Sequence, residues 1–395
     1  MQVTDIQRAL AEAGIDGWLF YDFHNRDAIA YRVLGLDFGK FTSRRWWYWI
    51  PKSGEPVRLV HRVEPTKLDS LPGEKRFYLA WEELHAGLKE ILGETPQKIA
   101  MQYSPLNNIP YVSTVDGGTV DLVRSLGHEV VSSADLVQTF EAVIDAAGYR
   151  SHLEASGKVY RIKDEAFKEI EAALRSGRGV TEYDIQQFIV RRFGEEGMTC
   201  AGENPIVGVN DHPANPHFEP TPENAYPIRK GDTILIDLWA RDEQDGSIWA
   251  DITWCGFAGK KPPAKYIEIF HAARDARRAG LALVQKRFAE GVPCHGWEVD
   301  EAVRNVIRAA GYGDFFIHRT GHSIGTEVHG NGVHIDNLET REERRLIPGI
   351  CFSIEPGIYL EGEMAVRTEI DVFITLDGEV TVAGPEQDEL ILMDV

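Results

Sequence analysis

Four acidic residues lie within stretches that are otherwise apolar, and this feature most restricts how the chain can fold. Asp237 lies in T-I-L-I-D-L-W, Asp251 in W-A-D-I-T-W, Glu355 in F-S-I-E-P-G-I-Y and Glu369 in V-R-T-E-I-D-V. Such segments are typical of buried strands, and an isolated buried charge costs several kcal/mol. A fold that buries these strands must therefore give the four carboxylates a common partner.

Asp237 and Asp251 are predicted to lie side by side, because a hairpin would join the two strands that carry them. Two carboxylates that close raise each other's pKa unless a cation neutralises them, so a metal is the natural partner. The alternative is a pair of strand-end carboxylates that face solvent. Near Glu369, alternation along the strand places Arg367 and Asp371 on the same face as the glutamate.

The segment at residues 317–330, I-H-R-T-G-H-S-I-G-T-E-V-H-G, supplies histidines and flexible backbone. Gly321 and Gly325 beside His322 let backbone or substrate come close. A single histidine is more often a hydrogen-bonded core residue, but one histidine with four carboxylates suits two divalent metals that share bridging ligands. We therefore expect a dinuclear metal centre that hydrolyses an amide bond. The five predicted ligands are Asp237, Asp251, His322, Glu355 and Glu369.

Residues 1–145 alternate strand-like and helix-like segments, which predicts an α/β domain. The expected strands are Gly17–Asp22, Arg44–Ile50, Val57–Val63 and Lys98–Met101, and the expected helices are Thr4–Ala13, Trp81–Leu92 and Val115–Leu126. The aromatic run W-W-Y-W at 46–49 fits either a ligand platform or a strand buried on both faces. We favour the buried strand.

Residues 146–395 contain paired helices separated by strands, which predicts an α+β domain with a mainly antiparallel sheet. Helices are expected at 152–174, 181–193, 262–288 and 297–310, and strands at 233–240, 247–257, 351–354 and 366–375. Thr181 and Asp184 form a close relative of a capping box at the start of the second helix. Residues 204–227 form a Pro/Asn-rich loop that is too long to be only a connector.

Composition excludes several classes of function. The chain has 42 Lys and Arg against 62 Asp and Glu, a formal net charge of −20, and no basic block, so nucleic-acid binding is not expected. The N-terminus does not have the pattern of a leader peptide, and no apolar run approaches the ~20 residues of a membrane span, which predicts a cytoplasmic protein with no membrane partner. Reduced, buried thiols are expected for the widely spaced cysteines, which are Cys200, Cys255, Cys294 and Cys351.

The five ligand motifs resemble those of the prolidase/aminopeptidase P/creatinase family, the pita-bread metallopeptidases. The resemblance is strong over residues 146–395, and residues 1–145 more weakly resemble the creatinase-type N-terminal domain. It implies two divalent metal ions per chain, with manganese expected and cobalt or zinc as alternatives. Asp237 would hold one metal, Asp251 and Glu369 would bridge, and His322 and Glu355 would complete the second. Glu355 would also move a proton from a metal-bridging hydroxide to the leaving nitrogen.

The resemblance also implies roles for residues around the metals. His217, in N-P-H-F-E-P-T, and His329 would hydrogen-bond the substrate and stabilise the tetrahedral intermediate, with His212 as a competitor for the first role. His318 would lie beside the bound peptide. Arg367 would either pair with an acid of the site or bind a substrate carboxylate.

The implied function is hydrolysis of Xaa-Pro bonds by a dipeptidase or an aminopeptidase P, acting on small peptides with proline at P1′, and a homodimer is implied as well. Trp254 after D-I-T, the long interval between the first two ligands and the enlarged loop after His217 depart from the family pattern. They leave open a related amide or C–N hydrolase with a non-prolyl substrate. A non-catalytic pita-bread binding protein is the third alternative.

Overall fold

The computed structural model describes residues 2–395, which divide into two compact units, one ending at Glu141 and the other spanning Ala142–Val395. The domains proposed from the sequence are 1–145 and 146–395, and Met1 lies outside the described residues. Among the described residues, no helix combines the length and the apolar character needed to cross a bilayer.

The first unit is an α/β unit whose helices cover both faces of one sheet. Gly14, with φ 63°, ends the first helix because its left-handed backbone returns the N–H group to the carbonyls of Leu10 and Ala11. Two short 3₁₀ segments, Pro105–Asn107 and Pro110–Val112, follow the fifth strand. The elements in chain order are α1 (Val3–Ala13), β1 (Gly17–Asp22), α2 (Ala28–Leu34), β2 (Trp46–Pro51), β3 (Val57–His61), β4 (Glu74–Tyr78), α3 (Trp81–Leu92), β5 (Lys98–Met101), α4 (Gly117–Ser125), β6 (Glu129–Ser132) and α5 (Ala134–Glu141).

The sheet of this unit has the strand order β4-β3-β2-β1-β5-β6. β1 pairs in parallel with β5, and β5 with β6, whereas β2 is antiparallel to both of its neighbours. The aromatic run forms β2: Trp46 and Tyr48 pack into the core on one face, Trp47 and Trp49 into the core on the other. The interpretation as a strand buried on both faces is therefore confirmed.

The second unit contains two pairs of helices and several small sheets. Thr181 and Asp184 form the predicted capping box at the start of the second helix of this unit. Single 3₁₀ turns occur at His212–Ala214 and Gly313–Phe315. The elements are α6 (Ala146–Ser176), α7 (Glu182–Glu195), β7 (Met198–Thr199), β8 (Ile206–Val209), β9 (Thr233–Asp242), β10 (Ala250–Phe257), α8 (Ala264–Ala289), α9 (Gly296–Ala309), β11 (Ser323–Ile324), β12 (Ile350–Ile354), β13 (Gly357–Leu360), β14 (Met364–Arg367), β15 (Ile370–Ile374), β16 (Val380–Val382) and β17 (Ile391–Leu392).

Two half-cores organise this unit. Helices α6 and α7 pack with β7 to β10 in one core, and α8 and α9 pack with β12 and β15 in another. The strand pairs are antiparallel apart from β10 with β17, so the predicted mainly antiparallel domain is confirmed.

The structure differs from the sequence prediction at residues 366–375, which were expected to form one strand. The predicted strand is interrupted at Thr368 and Glu369, so that β14 pairs with β13 and β15 pairs with β12. The ladder is interrupted because Thr368 N–H bonds to the carbonyl of Pro356, and Glu369 N–H to that of Thr253.

Candidate metal centre

Asp237 and Asp251 lie on one face of the hairpin formed by β9 and β10. Thr253 is directly opposite Asp237 in the register, and Asp251 is opposite Trp239, so the two carboxylates are diagonal neighbours. Both are buried, with 7% and 5% of their surface exposed. The alternative of solvent-facing carboxylates is therefore excluded by the geometry.

Thr253 connects the carboxylates of this face. Its hydroxyl lies 2.9 Å from Asp237 Oδ1 and 2.7 Å from Glu369 Oε2, and it accepts an N–H group from Arg367 at 3.0 Å. Because the hydroxyl has one proton, it donates to one carboxylate at a time. Glu369 reaches this position from the break between β14 and β15.

His322 and Glu355 approach from the other half of the unit. His322 Nε2 lies 3.5 Å from Asp251 Oδ2 and 3.4 Å from Glu355 Oε1. Ser353 fixes both residues, since its hydroxyl accepts the backbone N–H of His322 at 2.9 Å and donates to Glu355 Oε1 at 3.1 Å. A Cβ on Gly321 would stand 1.9 Å from Ser353 O, so only glycine allows this approach.

The pKa values of the buried carboxylates are raised, as expected for a site that binds a cation. Burial, then the charge of Asp237, raises the pKa of Asp251 well above its usual value. Burial also raises the pKa of Glu369, with contributions from Asp251, Glu355 and Asp237. Burial lowers the pKa of His322, which keeps its imidazole in the neutral form that binds metals.

The residues present fit divalent metal ions. Ligand atoms of Asp251, His322 and Glu369 all lie within 4.8 Å of one another. In the part of the chain that the structure describes, Asp251 Oδ1 and Glu369 Oε1 are buried and have no hydrogen-bond partner. Unpartnered buried carboxylate oxygens are costly unless a cation takes them, and carboxylate and imidazole donors suit metals such as manganese, cobalt and zinc.

The predicted substrate-contacting histidines lie beside this cluster. The His329 ring is 4.3 Å from the His322 ring, centroid to centroid, and His329 and His217 are both exposed. His217 is close enough to His329 for their charges to interact. These two side chains are therefore accessible to a substrate that reaches His322.

His212 contacts Glu182 and Tyr226 instead of the predicted metal ligands. Its Nδ1 lies 2.9 Å from Glu182 Oε2, and its ring stacks on Tyr226 with 3.6 Å between ring centroids. Glu182 is fully buried and also accepts the backbone N–H groups of Val209 at 2.7 Å and Tyr226 at 2.6 Å. Together they fix the loop that carries His217, so His212 is an anchor of that loop.

His318 and Arg367 belong to a hydrogen-bonded relay through Tyr359. Arg367 donates to Tyr359 at 3.0 Å, the Tyr359 hydroxyl lies 2.7 Å from His318 Nε2, and His318 Nδ1 lies 2.7 Å from Arg319 O. Because a carbonyl only accepts, His318 Nδ1 carries the proton and Nε2 accepts from Tyr359. Arg367 is 4% exposed and forms an ion pair with Asp237. This contact is the first of the two roles expected for Arg367 from the sequence. A role toward a substrate carboxylate stays a prediction.

Several residues of the site were not assigned from the sequence. Thr253, Ser353 and Tyr359 each contact at least two of the predicted residues. Asp371 accepts the backbone N–H of Asp251 at 2.9 Å, with His152 Nε2 3.9 Å away. Strand alternation could have identified Thr253, which is two residues after Asp251, and Ser353, which is two before Glu355.

A family comparison agrees with this geometry. The model of metallopeptidase family M24 matches residues 154–376, more than half of the chain and a range that includes all five predicted ligands. The chain belongs to metallopeptidase family M24. The expectation of a pita-bread metallopeptidase family is therefore confirmed.

Two relatives show how far the similarity in sequence extends within family M24. The Xaa-Pro dipeptidase of Lactobacillus helveticus is 33% identical over 230 residues, which are 58% of this chain but only 57% of that protein. The probable dipeptidase PepE of Mycobacterium tuberculosis is 29% identical over 353 residues, 88% of this chain and 85% of that protein.

Solved structures of the family show the same fold. The dipeptidase PepE from Mycobacterium ulcerans superposes with a TM-score of 0.67 at 24% identity, over 99% of this chain and 96% of that one. The Xaa-Pro dipeptidase from Bacillus anthracis gives 0.58 at 24% identity, over 99% of each chain. The predicted fold, an α/β unit followed by an antiparallel pita-bread unit, is confirmed, whereas the roles of individual residues stay predictions.

Proposed function

We propose that the chain is a dinuclear metal-dependent peptidase that hydrolyses Xaa-Pro bonds in small peptides, as a dipeptidase or an aminopeptidase P. The observation that carries this proposal is the pair of unpartnered, buried oxygens, Asp251 Oδ1 and Glu369 Oε1, beside the neutral imidazole of His322 in an M24 chain. The name of the Lactobacillus helveticus relative supports the choice of an Xaa-Pro bond.

The residues that would hold the metals are Asp237, Asp251, His322, Glu355 and Glu369. When bound, divalent ions supply a hydroxide near neutral pH and polarise the scissile carbonyl. Glu355 is suited to proton transfer because its side chain is 15% exposed and Ser353 orients Oε1. The leaving nitrogen must gain a proton to depart as an amine, and Glu355 would deliver it.

His217 and His329 would contact the substrate from the exposed side of the cluster. Both are exposed, so a peptide can reach them without displacing a packed side chain. A neutral imidazole donates one N–H, which would hydrogen-bond the carbonyl oxygen as it becomes negatively charged. His318 would contribute indirectly, because both of its nitrogens are engaged by Tyr359 and Arg319.

A second candidate is a dipeptidase whose substrates lack proline. The probable dipeptidase PepE is the relative that matches 88% of this chain, and its name specifies a dipeptide and no proline. Trp254, which follows D-I-T, packs in the core with α6, with its ring centroid 3.5 Å from Lys163 Nζ, so this departure from the family pattern faces away from the carboxylates. The PepE match is therefore the observation that favours testing proline as a variable.

A peptide panel tests the proposal. Protein treated with a chelator and reloaded with Mn²⁺ would be assayed with Gly-Pro, Gly-Pro-Ala and Gly-Ala. Cleavage of Gly-Pro alone indicates an Xaa-Pro dipeptidase, cleavage of Gly-Pro-Ala between Gly and Pro an aminopeptidase P, and cleavage of Gly-Ala the second candidate. No cleavage of any peptide, with about two Mn²⁺ bound, would leave the binding-protein alternative and refute both candidates.

Further elements of the proposal concern the metal and the assembly. Metal analysis should find two ions per chain, with manganese proposed ahead of cobalt and zinc. A homodimer and a cytoplasmic location are likewise proposed, and the mass in solution tests the first of them.

A further inference from the structure

The first unit contains a cleft of about 980 Å³ at one edge of its sheet. Its floor is built from strand ends: Tyr21 is near the end of β1, His61 is the last residue of β3 and Tyr78 the last residue of β4. These three strands point the same way, because β2 is antiparallel to β1 and β3. The cleft therefore lies at the carboxyl ends of the strands, where open α/β sheets bind ligands.

Two helices form the walls of the cleft. From the edge strand β4 the chain enters α3, whose residues Trp81 and His85 line one side. The first turn of α4, with Gly118 and Thr119, forms the far wall.

The charge of the cleft is positive although the chain carries −20 overall. Arg26, Arg44 and Arg45 line it, and within the described residues none of them forms an ion pair. Arg58 and Arg76 of the same unit do pair with acids. Three unpaired guanidinium groups in one cleft attract an anion with more than one negative charge.

The acids of the cleft do not cancel these charges. Asp116 caps α4, and its two carboxylate oxygens accept the N–H and the hydroxyl of Thr119 at 2.9 and 2.8 Å. Asp116 and Asp121 stand against three arginines, so the lining keeps a formal charge of 3 − 2 = +1 with the histidines neutral.

Aromatic surface lies beside the guanidinium groups. Trp81, the first residue of α3, lines the cleft and is 61% exposed. Arg26 stands over the ring of Phe23, with Cζ 5.5 Å from the centroid. Exposed aromatic faces next to unpaired arginines provide stacking for a flat ring.

The loop that carries Phe23 and Arg26 is held in a strained shape. His24 and Asn25 both have positive φ, 63° and 54°. The buried Asp22 holds this turn by accepting the N–H groups of Asn25 at 3.0 Å and Arg26 at 2.7 Å. Strained residues that the surrounding structure holds in place are typical of ligand sites.

We propose that this cleft is a binding site for an organic polyanion that carries a planar ring, of the chemical class of a nucleoside diphosphate. The arginines would bind the anionic groups, and Trp81 would stack on the ring. The volume suits a ligand of this size. The proposal does not depend on the peptidase activity, because every residue of the cleft belongs to the first unit.

Calorimetry on the full chain tests the proposal, with ADP as the probe and pyrophosphate and adenosine as its two halves. ADP should bind with a Kd below about 100 μM and at least about 10-fold more tightly than either half. In the double variant Arg26→Ser/Arg45→Ser the affinity for ADP should fall at least about 10-fold, and Trp81→Ala should reduce it toward that of pyrophosphate.

The matched control is Arg8→Ser, an exposed arginine of α1 outside the cleft, which should bind ADP like the unaltered chain. If about 1 mM ADP does not bind to the protein at either low or high protein concentration, the proposal is overturned. Binding that persists in the folded double variant would overturn it too, since the ADP would then bind elsewhere.

Discussion

Glu182 and Glu369 are both buried glutamates of the second unit, with 0% and 2% of their surface exposed, but their surroundings differ. Glu182 accepts two backbone N–H groups and the imidazole of His212. Glu369 accepts the Thr253 hydroxyl on Oε2, and its Oε1 has no partner among the described residues.

The comparison separates two uses of a buried carboxylate. The chain supplies the donors for Glu182, which therefore fixes a loop. It supplies too few donors for Glu369 and Asp251, and burial first, then the surrounding acids, raises the pKa of each. A buried acid that lacks donors is thus a better indicator of a cation site than burial alone.

The largest effect is expected for Glu369→Gln. The amide removes a proposed bridging ligand, so divalent metal should be lost and peptidase activity should fall by roughly three orders of magnitude, ~4 kcal/mol of barrier. Without metal, the variant should be more stable than the unaltered chain, because it removes one charge from a crowded set of acids. Metal analysis, kinetics and urea unfolding with a chelator measure the three effects. Full retention of metal by the variant would contradict the assignment.

Thr253→Val should have the next largest effect. Valine keeps the shape but removes the hydroxyl that contacts Asp237, Glu369 and Arg367, so metal affinity should fall about 10–100-fold. Titration of the metal-free protein with Mn²⁺ measures this. Thr233→Val, a buried threonine of the same strand pair, is the control and should bind metal normally. Equal losses in both variants would show a general effect on packing.

Glu182→Gln should act on the loop and leave the metal bound. The amide would place an N–H₂ group against the N–H of Val209 or Tyr226, at a cost of about 1–3 kcal/mol. The change at Glu182 should therefore destabilise the metal-free chain, whereas the same change at Glu369 stabilises it. Because the loop carries His217, kcat should fall with metal content unchanged. The comparison fails if both variants shift stability in the same direction.

The smallest effect is a pH dependence of stability in the metal-free chain. Asp251, Glu355, Glu369 and Asp371 all have raised pKa values, with burial as the first cause in each case. Because the folded pKa exceeds the unfolded one, their contribution to the free energy of unfolding is complete below the ordinary pKa values of 3.8 for Asp and 4.5 for Glu, and it is lost as pH rises through the raised pKa values.

Urea midpoints between about pH 5 and pH 8 should therefore decrease with rising pH in chelator and change less with metal bound. In Glu369→Gln the dependence should be weaker. A metal-free midpoint that rises over this range would show that other groups determine the pH dependence.

The sequence indicated the carboxylates of the site because they lie in apolar strands, where an unpaired buried charge is unfavourable. The four carboxylates could be chosen on that ground, whereas His322 was chosen from the glycine-rich segment that carries it, and these side chains do converge. Partners were harder to predict, since Thr253, Ser353 and Tyr359 are ordinary strand residues whose importance depends on which side chains face them across the sheet. Spacing to Asp237 favoured His217 over His212 for the substrate role, and the hydrogen bond between His212 and Glu182 agrees with that choice.

The prediction of the fold was limited in the same way, because contacts between residues distant in sequence could not be predicted. The helix α8 was predicted to within two residues, whereas α6 begins six residues before its predicted start, and the aromatic strand β2 was recognised from its composition. In the first unit, α2, β4, α5 and β6 were not predicted, since they are short and take their stability from tertiary packing. The break at Thr368 was missed because the hydrogen bonds that cause it come from Pro356 and Thr253, which are distant contacts.

That break has a mechanical consequence. At Glu369 the chain leaves the ladder with β13 and joins the ladder with β12, while Asp237 and Asp251 stand on β9 and β10. A cation at this junction would act as a reversible cross-link between the two half-cores, in addition to the hydrogen bonds from Thr253 to Glu369 and from Asp251 N–H to Asp371. The amide protons of β10 and β15 should therefore exchange with solvent at correlated rates, and both rates should fall when the metal binds.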